Sequence, residues 1–133
     1  MIKVVLDTNI IISAALSPSG TPAKVISAIS ANEELQLFYT TDILAEYEGV
    51  LSREKFNIAP EEQGHIVHAI KVVGIETERP TPSEIPLPDE DDRIFYDTAK
   101  SIGAILVTGN RKHYPSESFI MPPSDFLEYL FHM

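Results

Sequence analysis

The sequence predicts a three-layer α/β/α domain, in which helices flank a central, mostly parallel sheet of four or five strands. Short apolar runs alternate along the chain with longer segments of helical periodicity, and this alternation is typical of a parallel sheet that is covered on both faces. The chain has 133 residues, which is enough for one domain and too few for two, so we interpret residues 1–133 as a single domain.

Five elements are predicted in the first half of the chain. They are a strand at 2–6, a helix at 9–16, a helix that opens at Thr21-Pro22, a strand at 35–39 and a helix at 42–51. The first strand is short, apolar and β-branched, as expected for a buried parallel strand. Pro22 fits the first turn of a helix, and Thr40 is a favourable N-cap for the helix that follows it.

The second half of the chain begins with a helix that opens at Pro60 and ends at Gly74. Residues 75–88 contain four prolines and predict an irregular surface excursion rather than a domain linker, because neither flank is long enough to fold alone. The remaining predicted elements are a helix at 89–102 that ends at Gly103, a buried strand at 104–108, a strand at 118–121 and a helix at 125–131.

The composition excludes several classes of chemistry. There is no cysteine, which excludes disulfides, thiolate metal sites and cysteine nucleophiles. The N-terminus lacks a signal-peptide layout and no apolar run is long enough to span a bilayer, so we expect a cytoplasmic protein with no membrane contact. The net charge of −10 by itself argues against a nucleic-acid partner, although a bound divalent cation would invert the charge locally.

Three acidic residues are candidates for one site. Asp7 ends the first strand, and ligands of open α/β sheets bind at the carboxyl ends of the strands. Glu46 lies at the edge of the apolar stripe of its helix, half turned toward the core. Asp92 lies at a similar margin in the first turn of its helix, from which Arg93 and Asp97 are expected to point outward. Alternatively, each carboxylate is an ordinary boundary or capping residue.

The run Asp89, Glu90, Asp91 and Asp92 contains more acid than helix capping requires. A divalent cation would offset the repulsion among these side chains, and Mg²⁺ and Mn²⁺ prefer oxygen ligands. Such a cation can activate a water molecule and stabilise the charge that develops on a phosphodiester during in-line displacement.

The exit of the strand at 104–108 supplies further polar groups. The amide oxygen of Asn110 could bind a cation or hold a bound water. Arg111 and Lys112 form the only adjacent basic pair in the chain, and they could bind a backbone phosphate. The same residues also fit an ordinary surface turn, and the sequence favours neither interpretation.

Together these motifs resemble the PIN domain family of metal-dependent ribonucleases. The resemblance rests on strand-Asp-Thr-Asn at 4–9, a helical glutamate at 46, Asp-Glu-Asp-Asp at 89–92 and Thr-Gly-Asn at 108–110. The stretch Leu-Val-Thr-Gly-Asn-Arg-Lys-His-Tyr-Pro is typical of small VapC-like proteins, the toxins of prokaryotic toxin–antitoxin pairs.

The resemblance implies a metal site. It makes Asp7, Glu46 and Asp92 the three acidic ligands of Mg²⁺ or Mn²⁺, and Thr8 the hydroxyl that orients Asp7 or a bound water. Asp89 and Asp91 flank that site and could assist it. Asn110 falls where many members carry a fourth acid, which is a departure from the family pattern.

The resemblance also implies the reaction, the hydrolysis of RNA by a metal-activated water, in which Asn110 would join the catalytic residues. Arg111, Lys112 and His113 would contact the substrate, although a surface histidine is the simpler interpretation of His113. An antitoxin partner and a homodimer are further implications of the family.

Three other interpretations compete with this one. A haloacid-dehalogenase-type enzyme needs a second acid two residues after the first, and Asn9 stands there. A receiver domain needs an acidic pair after the first strand and a phospho-accepting aspartate after the third, and neither is evident. A catalytically weak or inactive PIN scaffold that binds a protein partner stays open, because Asn110 and the net charge of −10 favour it modestly.

Overall fold

The centre of the protein is a parallel sheet of five strands in the order β3-β2-β1-β4-β5, flanked by six α-helices. The computed structural model describes residues 1–133. The strands are β1 Ile2–Leu6, β2 Leu35–Tyr39, β3 Ile75–Glu76, β4 Ile105–Val107 and β5 Ile120–Met121. The predicted fold class is therefore confirmed, and every neighbouring pair of strands is parallel.

The helices follow the predicted order along the chain. They are α1 Thr8–Leu16, α2 Thr21–Ala31, α3 Thr41–Leu51, α4 Pro60–Val73, α5 Arg93–Ile102 and α6 Pro123–Phe131. Three short 3₁₀ turns lie at Glu54–Phe56, Glu90–Asp92 and Arg111–His113. No helix combines the length and the apolar character that crossing a membrane would need.

The expected boundary signals are present at several helix ends. Thr40 caps α3, because its side-chain oxygen accepts a hydrogen bond from the backbone N–H of Ile43 over 3.1 Å. Gly103 ends α5 in the left-handed region, with a φ of 70° that favours glycine. Gly74 ends α4 where a Cβ atom would lie 2.9 Å from the ring of Tyr39, so the close approach of the two elements requires glycine.

Two predicted assignments are wrong, and the other predicted element ends agree with the structure to within two residues. The segment at 75–88 was expected to be irregular throughout, but Ile75–Glu76 forms the edge strand β3, and the N–H of Thr77 donates to the carbonyl of Tyr39 over 2.8 Å. Both residues of β3 are exposed, so the strand has no alternation of apolar and polar residues from which it could be predicted. The helix predicted at 89–102 begins as the 3₁₀ turn Glu90–Asp92, and α5 starts at Arg93.

The outward orientation expected for Arg93 and Asp97 is also wrong. Asp97 is 5% exposed, and its carboxylate accepts hydrogen bonds from the N–H and the hydroxyl of Ser83. The proline-containing segment folds back over the first turns of α5 and covers both side chains. The helical periodicity of α5 alone could not indicate this, because the covering segment has no regular pattern of its own.

The core lies against the two central strands. Val4, Val5 and Leu6 of β1 are almost fully buried, and burial of each such side chain stabilises the fold by about 1.5–3 kcal/mol. Tyr47 of α3 stacks on Phe95 of α5 with ring centroids 6.3 Å apart, and the Tyr47 hydroxyl donates to the carbonyl of Leu6. These contacts hold α3 and α5 beside the carboxyl end of β1.

The connections make the carboxyl end of β1 a topological switch point of the sheet. The chain leaves β1 toward β2 on one side, whereas β4 pairs with the other side, so the strand order reverses next to β1. In open α/β sheets, ligands bind outside the carboxyl ends of strands at such a switch point. Asp7 follows β1 directly and therefore lies where this topology favours a ligand.

Candidate metal centre

Asp7 is buried and held by two hydroxyl groups. Its Oδ2 atom accepts hydrogen bonds from Thr108 Oγ1 and from the Tyr114 hydroxyl, each over 2.8 Å. Its backbone N–H also donates to the carbonyl of Val107 over 3.0 Å, which fixes the chain between β1 and β4. The two hydroxyl donors share one carboxylate oxygen, so Oδ1 of Asp7 has no hydrogen-bond partner in the protein.

Asn9 ties the beginning of α1 to the exit of β4. Its side-chain oxygen accepts from the N–H of Gly109 over 2.9 Å, and its amide nitrogen donates to Thr108 Oγ1 over 3.4 Å. The same Thr108 oxygen accepts from the N–H of Asn110 over 3.0 Å. The Asp-Thr-Asn and Thr-Gly-Asn motifs therefore meet, although they lie about a hundred residues apart in the sequence.

Asp92 is linked to the exit of β4 through a histidine. Asp92 Oδ2 lies 3.1 Å from His113 Nδ1, and the Asn110 side-chain nitrogen lies 3.1 Å from His113 Nε2. When His113 is neutral, Nε2 accepts from the Asn110 amide and Nδ1 donates to Asp92; when it is protonated, both ring nitrogens are donors. In the neutral form Asn110 thus favours the tautomer that donates to the carboxylate.

The pKa of Asp92 is raised by its surroundings, which include two other carboxylates. Burial and repulsion from Asp7 and Asp89 raise the pKa of Asp92 to about 6, and His113 opposes this rise by its charge and its hydrogen bond. Burial and the charge of Asp7 also raise the pKa of the Tyr114 hydroxyl, which therefore remains a donor at neutral pH. The carboxylates are close enough to repel one another, and a bound cation would relieve that repulsion.

Three side chains bring ligand atoms together at this site. One atom each of Asp89, Asp92 and His113 lies within 4.8 Å of the other two, and all three side chains are half-buried. Thr8 directly follows Asp7, and its buried hydroxyl has no hydrogen-bond partner. The carboxylates of Asp89 and Asp92 are oxygen ligands of the kind that Mn²⁺ and Mg²⁺ prefer, and Asp7 lies close enough to repel Asp92.

The comparison with protein families agrees with this geometry. Residues 3–112 match the model of the family described as the PIN domain. The chain belongs to the PIN domain family. The match includes Asp7, Glu46, Asp92 and Asn110, so the motifs that suggested the family lie within it.

Individual relatives of this PIN domain are distant. An uncharacterized protein from Methanocaldococcus jannaschii, MJ1680, is 30% identical over 118 residues, which cover 83% of this chain and 72% of that protein. The crystal structure of PAE2754 from Pyrobaculum aerophilum has a TM-score of 0.68 at 15% identity, and the similarity covers 99% of this chain and 91% of that one. VapBC2 from Rickettsia felis, bound to a DNA fragment from its promoter, has a TM-score of 0.59 at 17% identity, with 90% and 97% covered.

The PIN domain's predicted acidic triad is only partly assembled by these contacts. Asp7 and Asp92 repel each other, which places them in one electrostatic neighbourhood. Glu46 is half-buried on α3, but the group that converges on Asp92 consists of Asp89 and His113. The assignment of Glu46 as a metal ligand therefore stays a prediction, as does the role of Thr8.

The remaining predicted residues lie at the surface of the PIN domain. Arg111 and Lys112 are exposed in the 3₁₀ turn that begins directly after Asn110. Asp91 is also exposed, and only its backbone N–H bonds within the acidic run, donating to Asp89 Oδ1 over 3.0 Å. Substrate contacts by the basic pair stay a prediction, although its position next to Asn110 suits one.

One group of this site has no predicted role, and another has a different one. Tyr114 stands in the family-like stretch without a predicted role, yet it donates directly to Asp7. His113 is predicted to contact substrate or to be a plain surface histidine, whereas it bonds Asp92 with 43% of its side chain exposed. A polar residue shortly after the carboxyl end of a central strand was the only available signal for either of them.

Proposed function

We propose that this PIN domain is a divalent-metal-dependent endoribonuclease that hydrolyses RNA phosphodiester bonds, and that it is the toxin of a toxin–antitoxin pair. The observation that carries the nuclease proposal is the convergence of Asp89, Asp92 and His113 within 4.8 Å, in the electrostatic neighbourhood of Asp7. PIN domains are generally nucleases, so membership of this family supports a role for the acidic cluster in phosphodiester hydrolysis.

Mg²⁺ or Mn²⁺ would be held by Asp7 and Asp92, with Glu46, Asp89 or His113 completing the ligand set. When bound, such a cation supplies activation of a water molecule and stabilisation of the charge that develops on the phosphodiester. The protein's own contribution is orientation. Thr108 and Tyr114 fix the carboxylate of Asp7 through one oxygen and leave the other available.

Substrate binding would depend on local rather than overall charge. The protein carries a net charge of −10, so RNA would be repelled by most of the surface. Arg111 and Lys112 place two exposed positive charges next to Asn110, where a backbone phosphate could be held beside the acidic cluster. Catalysis would thus combine a local basic rim with a cation-filled acidic centre.

The toxin assignment adds partners. The structural neighbour VapBC2 is bound to a DNA fragment from its promoter, and the shared fold supports an antitoxin partner for this protein. A homodimer is a further part of the proposal. The same proposal places the protein in the cytoplasm with its RNA substrate. A neighbouring reading frame that encodes a small DNA-binding protein would support a toxin rather than a role in general RNA processing.

The test is cleavage of end-labelled RNA by purified protein with Mn²⁺, with Mg²⁺ and with chelator. We expect cleavage with metal only, and a loss of at least a hundredfold in the Asp7→Asn and Asp92→Asn variants. Glu46→Gln tests the third predicted ligand. Glu48→Gln is its matched control, because Glu48 is exposed on the same helix. Equal cleavage in chelator and in Asp92→Asn would identify a contaminating nuclease and overturn the proposal.

A second candidate is a non-catalytic scaffold that binds a protein partner. Asn110 favours it, because the side chain that stands where many family members carry an acid is bonded to His113 instead. Direct Mn²⁺ titration separates the two functions. The nuclease requires binding that Asp7→Asn weakens strongly, whereas equal binding by the wild-type protein and this variant would support the scaffold.

A further inference from the structure

The segment between β3 and the 3₁₀ turn at Glu90–Asp92 is long and proline-rich, yet its middle is fixed. It has no regular secondary structure, and it leads directly to Asp89. All three polar groups of Ser83 are bonded to side chains of α5. Asp97 accepts from the Ser83 N–H over 3.0 Å and from its hydroxyl over 2.6 Å, and Arg93 Nη1 donates to the Ser83 carbonyl over 2.8 Å.

Arg93 extends the same contact along the segment. Its second terminal nitrogen, Nη2, donates to the carbonyl of Ile85 over 2.7 Å and to the carboxylate of Glu90 over 2.8 Å. The guanidinium group therefore bonds three points of the chain between 83 and 90. We call Ser83, Arg93 and Asp97 the α5 clamp.

The α5 clamp contains a buried charge that the proline-containing segment compensates. The Asp97 side chain is 4% exposed, and its nearest cation is Arg93 Nη1 at 3.7 Å. Burial of an ionised carboxylate costs several kcal/mol unless hydrogen bonds and an opposite charge compensate it, and here Ser83 and Arg93 supply both. Asp97 is outside the group of residues that could ligate a cation, which is Asp89, Asp92 and His113.

The position of the α5 clamp in the chain indicates what it does. Arg93 directly follows Asp92, and the segment that it binds ends one residue before Asp89. Both ends of the turn that carries the two carboxylates are thus fastened to α5. We propose that Arg93 and Asp97 are positioning residues, which hold Asp89 and Asp92 at the spacing that a divalent cation requires. This inference rests on the proposed metal site for its functional consequence.

Groups that orient metal ligands without touching the metal commonly change metal affinity by 10–100-fold when they are removed. The α5 clamp acts on the turn rather than on the carboxylates themselves, so we expect Ser83→Ala and Asp97→Asn to weaken Mn²⁺ binding by about tenfold, the lower end of that range. The amide that Asp97→Asn introduces could not accept both hydrogen bonds of Ser83 as the carboxylate does, because an amide has a single acceptor oxygen. Ser83→Thr keeps the hydroxyl and should restore affinity to within about threefold of the wild type, well inside the effect expected for a lost outer contact.

The experiment combines Mn²⁺ titration by electron paramagnetic resonance with hydrogen exchange of the metal-free protein. Ser101→Ala is the matched control, since Ser101 lies on α5 and bonds only the Thr98 carbonyl. Support would be faster exchange at 77–91 and weaker Mn²⁺ binding in Ser83→Ala, with both values near wild type in Ser83→Thr and Ser101→Ala. If Asp97→Asn does not fold, Ser83→Ala still decides the outcome.

Two negative results have different meanings. Wild-type protein that binds no Mn²⁺ would overturn the proposed nuclease function. Wild-type binding that Ser83→Ala leaves unchanged, even with faster exchange at 77–91, would overturn the positioning role alone and leave the nuclease proposal standing.

Discussion

The Tyr114 hydroxyl donates a hydrogen bond to Asp7 Oδ2 over 2.8 Å, although the two residues are 107 positions apart. Both side chains are buried, with 5% exposure each. A hydrogen bond to a charged group contributes about 1.5–3 kcal/mol, which is more than a neutral pair contributes. The contact therefore links the segment that follows β4 to Asp7, at the carboxyl end of the first strand.

Replacing Tyr114 with phenylalanine should weaken both the fold and the site. The change keeps the ring and removes one of the two donors to Asp7, so we expect the free energy of unfolding to fall by about 1.5–3 kcal/mol. Mn²⁺ affinity should fall by about tenfold, because Thr108 alone would then orient the carboxylate. Urea denaturation and Mn²⁺ titration measure the two effects.

Tyr129→Phe is the control for this prediction, because Tyr129 is 46% exposed on α6 and has no hydrogen bond to the site. It should change neither quantity. Equal Mn²⁺ affinity in Tyr114→Phe and in wild type would show that Thr108 is sufficient to orient Asp7.

The sequence indicates the ends of strands better than the contacts made by loops. The proximity of Asp7 and Thr108 can be predicted, because parallel strands of one sheet end at the same edge. The contacts of Tyr114 and Asp97 cannot be predicted in this way. Tyr114 follows a 3₁₀ turn that has no periodic pattern. Asp97 is buried by the proline-containing segment, and the sequence pattern of α5 does not predict that this segment covers it. Predictions from periodicity are weakest where irregular chain covers a helix.

Glu46 illustrates a different limit. Its position at the edge of the apolar stripe of α3 was predictable, and the side chain is indeed half-buried. Periodicity gives the face of a helix but not the distance from one side chain to another on a different element. Whether Glu46 ligates the cation depends on that distance, and helical periodicity does not predict it.

His113 should lower the pKa of Asp92, and its removal should raise it. Burial and repulsion from Asp7 and Asp89 raise the pKa of Asp92 to about 6, and His113 is the one group that opposes this rise. The His113→Ala variant should therefore titrate Asp92 above pH 6. The carboxyl carbon shift, measured by NMR in metal-free protein, reports this value.

The matched histidine control is His132→Ala, which removes a largely exposed histidine near Glu128. The pKa of Asp92 should not change in that variant. A wild-type value in His113→Ala would mean that the contact between His113 and Asp92 does not persist in solution.

Metal-free protein should be stabilised by Asp92→Asn at neutral pH. A carboxyl group whose native pKa is raised from 3.8 to about 6 binds its proton more tightly in the native state than in the unfolded state. Its ionisation therefore costs stability as the pH rises from 3.8 to about 6, and the full cost persists above that range. We expect the variant to be more stable than wild type by about 1–2 kcal/mol at pH 7.5, after allowing for solvent screening.

The comparison is made by thermal unfolding in chelator at pH 4.5 and pH 7.5. The difference between variant and wild type should shrink at the lower pH, where most of Asp92 is protonated in the native state. Added Mn²⁺ should stabilise wild type and have much less effect on the variant. A constant difference across the pH range would show that the charge of Asp92 is not the cause.

Arg111 and Lys112 should account for much of the salt dependence of RNA binding if the nuclease proposal is right. Each phosphate contact with single-stranded nucleic acid contributes about 0.7 to the slope of log affinity against log salt concentration. The double variant Arg111→Ala/Lys112→Ala should therefore reduce that slope by about 1.4 and weaken RNA binding severalfold. Binding is measured in Ca²⁺ to prevent cleavage, because Ca²⁺ also takes oxygen ligands but with looser geometry.

The control Arg53→Ala/Lys55→Ala removes the same charge from exposed positions after the C-terminus of α3. That end lies away from the sheet edge that carries Asp7, since α3 begins directly after the carboxyl end of β2 and its 11 residues extend about 16 Å. Loss of general charge attraction would affect both double variants alike. A reduced slope in Arg111→Ala/Lys112→Ala alone would place the phosphate beside Asn110, whereas equal slopes would exclude a specific role for the basic pair.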